Sequence, residues 1–281
     1  MPELPEVETI KSQITTLLPL KIESLEFSRN AFPRILRNIS IEKSQIVQKE
    51  IIGREIQKIE RWGKWLIFSL DNHHFLISHL GMSGSWQLLQ SSTQHKHAHI
   101  IIRGPDQKCL SYVDPRRFGH FYYFDFNEKN NFFKRFPIDI SHHEFDLNHL
   151  TRLIFSGAKK IIKPYLLDQA AFMGIGNYMA SEICARAEIL PTRLAGSLSQ
   201  NEIEKLYRAL KIVLEGALKT SGTTFGGGYV DAYGEAGSGV DHLVVFYQEY
   251  CQMCAEKSLK TKVIKTQLAG RGTYHCPICQ K

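Results

Sequence analysis

The chain opens Met1-Pro2-Glu3-Leu4-Pro5-Glu6-Val7-Glu8, and two readings of this stretch stand side by side. Structurally it is a helix start. Prolines come early and acids fall in the first turn. Apolar residues then follow with helical spacing at Val7, Ile10, Ile14, Leu17 and Leu18, and Pro19 is the stop. Chemically, removal of Met1 would leave Pro2 as a free secondary amine close to the carboxylates of Glu3 and Glu6. Such an amine can attack an aldehyde-level carbon, and neighbouring carboxylates can move the protons that the attack requires. The positive end of the helix dipole would favour an anion at the same place. Taken alone, the eight residues favour the helix start.

Beyond Leu20 the pattern changes to short β-like runs at 21–28, 55–60, 65–70, 75–79, 97–103, 109–113 and 120–124. Turns such as Asp71-Asn72 and Gly104-Pro105-Asp106 separate several of them. Many strands at close spacing predict a β-sandwich or barrel that carries the N-terminal helix. From about Asn148 the spacing becomes helical. Leu150, Leu153 and Ile154 precede Gly157, and a second helix is predicted over 175–187. A third opens on the capping box Ser199-x-x-Glu202 and continues through Ile203, Leu206, Tyr207, Leu210, Val213 and Leu214. The glycine-rich stretch from Gly226 to Gly239 reads as a mobile loop, and two β-rich segments with cysteine pairs finish the chain.

A chain of 281 residues can hold two domains, and 43% hydrophobic residues is ordinary for a globular protein. The balance of 35 Lys+Arg against 28 Asp+Glu gives +7, a modest preference for a polyanionic partner. No apolar run reaches the roughly 18 residues of a membrane span, and no signal peptide precedes the opening acids, so a cytoplasmic location is expected. Among the six cysteines, Cys251-x-x-Cys254 and Cys276-x-x-Cys279 have the spacing of four thiolates around one tetrahedral structural zinc. Two pairs without a βαβ context argue against redox chemistry. Cys109 and Cys184 read as small core residues.

Other motifs admit both a structural and a functional reading. Asp114-Pro115-Arg116-Arg117-Phe118-Gly119 could insert into a nucleic-acid groove, or be a turn in which Asp114 pairs with an arginine and Phe118 caps the core. Gly81-Met82-Ser83-Gly84 could project Met82 into the gap left by an extruded nucleotide, or pack it in a hairpin. Arg61-Trp62-Gly63-Lys64-Trp65 could bring Lys64 to a reacting centre, or be a solvated strand edge. His95, His97 and His99 alternate, so one strand face should carry all three, and because three ligands on one strand do not readily converge this reads as a polar face with one phosphate contact rather than a metal site. Gly174-x-Gly176-Asn177 is a weak anion-binding turn at a helix start. Lys257, Lys260, Lys262, Lys265 and Arg271 make the final hairpin basic enough to meet phosphates, or leave it merely solvated.

Together these motifs resemble the formamidopyrimidine-DNA glycosylase family, also called MutM. The resemblance covers nearly the whole chain in order. It runs from Pro2-Glu3-Leu4-Pro5-Glu6-Val7-Glu8 through Gly63-Lys64, His79-Leu80-Gly81-Met82-Ser83-Gly84 and Asp114-Pro115-Arg116-Arg117-Phe118-Gly119. Gly174-x-Gly176-Asn177-x-x-Ala180-x-Glu182 and Cys276-Pro277-x-Cys279-Gln280 complete it. The resemblance implies an α+β fold: an N-terminal β-sandwich with an N-terminal helix, a helix–two-turns–helix domain, and a C-terminal zinc-finger β-hairpin. The domains would span 1–135, 136–225 and 226–281, the last comprising the lesion-recognition loop and the finger.

By the same resemblance the chain would be a monomeric, bifunctional glycosylase and AP lyase of base excision repair. It would act on double-stranded DNA containing oxidised purines and be located in the cytoplasm at the nucleoid. Pro2 would be the Schiff-base nucleophile and Glu3 its proton donor and acceptor. Lys64 would serve β-elimination, Arg271 would serve phosphate binding and δ-elimination, and Glu6 would be a further active-site acid. His97, Arg116, Lys159 and Asn177 match DNA-contacting positions. Met82, Arg116 and Phe118 match the residues that occupy the void and face the orphaned base. Two features depart from the family: the stretch between cysteine pairs, 255–275, is longer than usual, and Ala255 stands where glycine is common. The segment 223–240 falls at the lesion-recognition loop and is unusually rich in glycine. An oxidised-pyrimidine enzyme of the endonuclease VIII type and a non-catalytic zinc-ribbon DNA-binding protein are the competing readings.

Overall fold

Helix α1, Leu4–Thr15, buries Leu4, Val7, Ile10 and Ile14 completely, one stripe at helical spacing. It ends earlier than the apolar pattern suggests. Thr16 caps it, and Leu17 and Leu18 turn out of the helix ahead of Pro19, which disfavours helical backbone in the residue before it. The computed structural model describes residues 1–90, 95–226 and 228–281. It divides into two compact units, one of Met1–Arg135 with Thr220–Ser238 and one of Phe136–Lys219 with Gly239–Lys281.

In the first unit two antiparallel sheets share one core. The first orders β1 (Leu20–Lys21), β3 (Glu55–Trp62), β4 (Trp65–Leu70), β5 (Phe75–His79) and β9 (His120–Phe124) as β1-β3-β4-β5-β9. The second orders β2 (Ser24–Phe27), β7 (Ala98–Arg103), β8 (Lys108–Val113) and β6 (Ser85–Gln90) as β2-β7-β8-β6. Alternate residues face inward: Leu66, Phe68 and Leu70 on β4, Ile100 and Ile102 on β7, Leu110 and Tyr112 on β8. Trp86 is fully buried between Phe68 and Tyr112, and its indole N–H donates to Ser78 Oγ at 3.0 Å.

Several elements carried no clear signal. Helix α2 (Ile41–Ile51) lies within the stretch read as β-like, and its pattern is weak because Ile41 and Ile46 are exposed while only Val47 and Ile51 are buried. Helix α3 (Phe126–Phe133) opens on a capping box, Asp125 with Glu128, that follows the last predicted strand. Strand β6 directly follows the Gly81–Gly84 turn. The three alternating histidines do not share a strand face. His95 and His97 precede β7, and a bulge between Ala98 and Ile100 breaks the alternation.

The second unit is mostly helical: α4 (Leu147–Ser156), α5 (Ile162–Leu166), α6 (Asn177–Arg186) and α7 (Gln200–Lys219). The Ser199–Glu202 box caps α7, whose Ile203, Leu206, Leu210, Val213 and Leu214 are buried as their spacing predicts. The first cysteine pair sits at the short helix α8 (Gln252–Ala255), with Cys251 as its N-cap and Cys254 within it. A five-pair hairpin of β10 (Ile264–Leu268) and β11 (Arg271–His275) precedes the second. Cys109 and Cys184 are core residues. Among the described residues no helix is long and apolar enough to cross a membrane.

The depth of the α1 stripe gives a stability test. Ile10→Ala removes a side chain with no exposure and should cost about 2–5 kcal/mol, read as a lowered midpoint in urea denaturation.

Candidate active site and metal centre

In the first unit Pro2, Glu3 and Glu6 are all buried at the N-terminus of α1, while Met1 is exposed. Glu6 reaches back, and its Oε2 accepts the Glu3 backbone N–H at 2.7 Å. Its Oε1 accepts the Thr223 N–H at 2.8 Å, so one carboxylate joins the helix start to the Thr220–Ser238 loop. Gly222 makes that approach possible: it has φ of +83°, and a Cβ there would lie 2.7 Å from Glu6 Cγ.

Lys64 occupies the two-residue turn Gly63-Lys64 between β3 and β4 and is 7% exposed. Gly63 supplies the positive φ such turns need. Arg61 holds the turn against α1. Its Nε donates to Glu8 Oε2 at 2.7 Å and its Nη1 to the Gly63 carbonyl at 3.0 Å. Burial pushes the Glu8 carboxyl up, but Lys11 and Arg61 together outweigh this and hold it below the ordinary glutamate range.

The Gly81–Gly84 and Asp114–Gly119 turns form one structure around a fully buried carboxylate. Asp114 Oδ1 accepts from Ser83 Oγ at 2.6 Å and Arg116 N–H at 3.2 Å, and Oδ2 accepts from Gly119 N–H at 2.9 Å. A Cβ on Gly81 would strike the Phe118 and Gly119 backbone at about 2.5 Å. Met82 and Arg116 are thereby brought to neighbouring turns, Met82 half-buried and Arg116 exposed. Phe118 does not cap the core. It is 49% exposed, with the Arg116 guanidinium 5.0 Å from its ring centre. His97 lines a cleft of about 460 Å³ with Lys96, Arg117, Asn30, Pro115 and His99. His99 is buried. Its Nε2 donates to the Asp114 carbonyl, and Ser28 Oγ can donate to its Nδ1 at 2.8 Å.

In the second unit Asn177 begins α6, Lys159 is exposed in the turn after α4, and Arg271 is exposed where β11 begins. One residue that sequence reasoning missed ties two of these regions together. Lys163 is 1% exposed, and its Nζ donates to Asn177 Oδ1 at 2.8 Å, Thr273 Oγ1 at 3.0 Å and the Gly272 carbonyl at 3.2 Å. Asn177 Nδ2 donates to the same Gly272 carbonyl at 3.0 Å. A lone lysine after Ile161-Ile162 carries no local signal for this role. Glu182 does similar work, its carboxylate taking the N–H groups of Val244, Val245 and Phe246 at 2.7–2.9 Å.

Cys251, Cys254, Cys276 and Cys279 gather with all four sulfurs within 4.8 Å of one another. The separations of 3.2 Å (254–279), 3.6 Å (254–276) and 4.0 Å (251–279) exclude a disulfide. They bracket the roughly 3.8 Å edge of a tetrahedron with metal–sulfur bonds of about 2.3 Å. The donor set therefore fits a metal ion. The hairpin is closed by Ala269-Gly270, both at positive φ, and takes up 264–275 of the long stretch between pairs.

Two family models match the chain: the formamidopyrimidine-DNA glycosylase N-terminal domain over residues 1–121, and the formamidopyrimidine-DNA glycosylase H2TH domain over 138–226. The formamidopyrimidine-DNA glycosylase of Syntrophomonas wolfei is 36% identical over the full length of both chains. A Lactococcus lactis FPG mutant in complex with Fapy-dG-containing DNA matches at TM-score 0.87 and 31% identity, complete on both sides. The wild-type Lactococcus lactis protein with oxidised-pyrimidine-containing DNA matches at TM-score 0.86 and 31% identity, again over both whole chains. The fold and site define a DNA-repair glycosylase class. The chain belongs to the formamidopyrimidine-DNA glycosylase family, whose activity is that of a glycosylase and AP lyase.

His79 offers a pH test of the first unit. Its Nδ1 accepts the Gly81 N–H at 3.1 Å, its ring packs on Trp65, and burial together with nearby Lys64 and His120 pushes its pKa down to about 3. An unfolded histidine takes up its proton near pH 6.5, so between about 6.5 and 3 the unfolded state binds the extra proton and stability falls with acidification. Thermal melts across that window should show His79→Gln losing less stability per pH unit than wild type, by at most roughly 1.4 kcal/mol per unit.

Proposed function

We propose that this chain is a bifunctional DNA glycosylase and AP lyase of base excision repair. It removes oxidised purines, 8-oxoguanine and formamidopyrimidines, through a Schiff base on Pro2 followed by β,δ-elimination. The observation that carries the reading is the burial of Pro2 with Glu3 and Glu6 at the start of a core-packed helix. Met1 must first be removed, because while it remains the Pro2 nitrogen is an amide. A terminal amine, with a reference pKa of about 7.7–8.0, is unprotonated near neutral pH far more readily than a lysine.

The steps balance without a redox partner. The damaged nucleotide is extruded, at a few kcal/mol of unstacking. The Pro2 nitrogen bonds to C1′ as the base leaves, and the C1′–O4′ bond then breaks, with Glu3 passing a proton to O4′ as the sugar opens. The resulting iminium acidifies C2′–H, and loss of that proton expels the 3′ phosphate, a step assigned to Lys64. A second elimination, assigned to Arg271, expels the 5′ phosphate, and hydrolysis frees Pro2. Glu6 is assigned to the active site as a further acid. Met82, Arg116 and Phe118 are assigned to the vacated stack and the orphaned base, and His97, Arg116, Lys159 and Asn177 to the DNA backbone.

The metal is proposed to be one structural zinc held by Cys251, Cys254, Cys276 and Cys279, which supplies rigidity to the basic hairpin and takes no chemical step. The working partner is double-stranded DNA with oxidised bases. The protein acts as a monomer at the nucleoid in the cytoplasm, with functional domains at 1–135, 136–225 and 226–281.

Mass spectrometry followed by borohydride trapping tests the central assignment. The purified protein should lack Met1 and should trap on an 8-oxoguanine:C duplex, and Pro2→Gly should trap none. Faster cleavage of a thymine-glycol duplex than of 8-oxoguanine would favour the oxidised-pyrimidine reading, which the Lactococcus lactis complex keeps relevant. Binding to DNA with no strand cleavage would favour the non-catalytic one. For the metal, elemental analysis should find zinc at about one ion per chain, lost in Cys276→Ser.

A further inference from the structure

We propose that Gln13 and Asp231 form a clamp that sets the position of the Thr220–Ser238 loop, and that this clamp serves excision of a damaged base rather than cleavage at a site already lacking one. The inference rests on the enzymatic reading above.

Gln13 lies seven residues after Glu6 on α1, on the same helix face and roughly 10 Å along the axis. That face grips the loop twice. Glu6 takes the Thr223 N–H, as described. Gln13 Nε2 donates to Asp231 Oδ2 at 2.6 Å, and its Oε1 accepts the Ala232 N–H at 2.8 Å. The Ala232 donor fixes which way the Gln13 amide points, so its nitrogen faces Asp231.

The second grip is built into the core. Asp231 Oδ1 accepts the N–H groups of Tyr233 and Glu235, each at 2.9 Å, which folds the turn that follows. The Ala232 carbonyl accepts the Leu88 N–H at 2.7 Å on β6, an edge strand of its sheet. Tyr229 and Ala232 are buried in the sandwich core. The stretch 226–239, expected to be a mobile loop, is anchored at Tyr229, Asp231, Ala232 and Gly237, which are buried, while 233–236 are exposed. Gly227 lies outside the described residues.

Between the two grips runs a short glycine-rich span that includes Phe225, Gly226 and Gly228, with Gly226 exposed. Glycines impose little conformational preference of their own. Glu6 holds the chain on one side of this span and the Gln13–Asp231 pair holds it on the other. On the enzymatic reading this segment is the lesion-recognition loop, so excision of a damaged base draws on its position, whereas a sugar without a base presents nothing for it to meet.

A reciprocal exchange tests the clamp. Gln13→Glu sets a carboxylate against the Asp231 carboxylate, and Asp231→Asn sets an amide NH₂ against that of Gln13. In the double variant, donor and acceptor change sides and the Ala232 N–H keeps its acceptor. Single-turnover release of 8-oxoguanine should fall about tenfold in each single variant, the scale of one buried hydrogen bond, and return in the double. Cleavage of the same duplex with an abasic site should stay within about twofold throughout, since that step is independent of the clamp. Amide exchange over 229–235 should speed up in the singles and recover in the double. Unchanged excision in the singles, an equal fall on the abasic duplex, or no recovery in the double each overturns the clamp. If wild type neither excises nor cleaves, the enzymatic reading fails and the assignment to excision fails with it. The exchange pattern then separately reports whether the pair holds the loop.

Discussion

A carboxylate removed from water must find donors, and in the first unit the Asp114 carboxylate finds them in the two turns that carry the candidate DNA-facing side chains. Its side chain has no exposure, so each missing partner would leave an uncompensated acceptor at about 1–3 kcal/mol. The cheapest arrangement is the one in which Ser83, Arg116 and Gly119 all converge on it. Met82, Arg116 and Phe118 then occupy fixed positions although none of them touches the carboxylate with its own side chain. The exposure of Phe118 follows: its backbone is committed to packing over Gly81, which leaves the ring outward.

The same device recurs. Glu6 collects donors from the helix start and from Thr223, Lys163 offers its ammonium to Asn177 and to β11, and Glu182 collects three consecutive N–H groups. Buried charges are poor sources of net stability, because desolvation offsets most of the attraction. Their value lies in geometry. A packed apolar contact tolerates a sliding loop, whereas a carboxylate holding two or three N–H groups at 2.7–2.9 Å does not.

This division explains what was legible in the chain. Elements that rest on apolar period were readable: the α1 stripe, strands β4, β5 and β9, and α7 with its box at Ser199 and Glu202. Helix α2 was not, since two of its three isoleucines face solvent. The cysteine cluster was readable because ligand spacing is local. The residues that position the site were largely opaque. Gln13 meets Asp231 across 218 residues, and Lys163 meets Thr273 across 110, and no local pattern marks either pair. The three histidines show the opposite error. Alternation implied a shared face, but the backbone bulges between Ala98 and Ile100 and gives the buried His99 a structural post beside Asp114.

Placing the proposed nucleophile at a chain terminus invites fraying, since the first residues of a domain are poorly ordered unless tied down. Here the tie is direct. The residues that immediately follow Pro2 are the capping pair and the first core positions of α1, so ordering the terminus needs no element beyond the helix itself. Arg61 extends the constraint sideways, bonding Glu8 one turn into the helix and the Gly63 carbonyl beside Lys64. Pro2 and Lys64 are therefore carried by one helix and one hairpin, which share a core and are joined by the half-buried Arg61–Glu8 ion pair. Functional groups on rigid elements keep their geometry better than groups on loops.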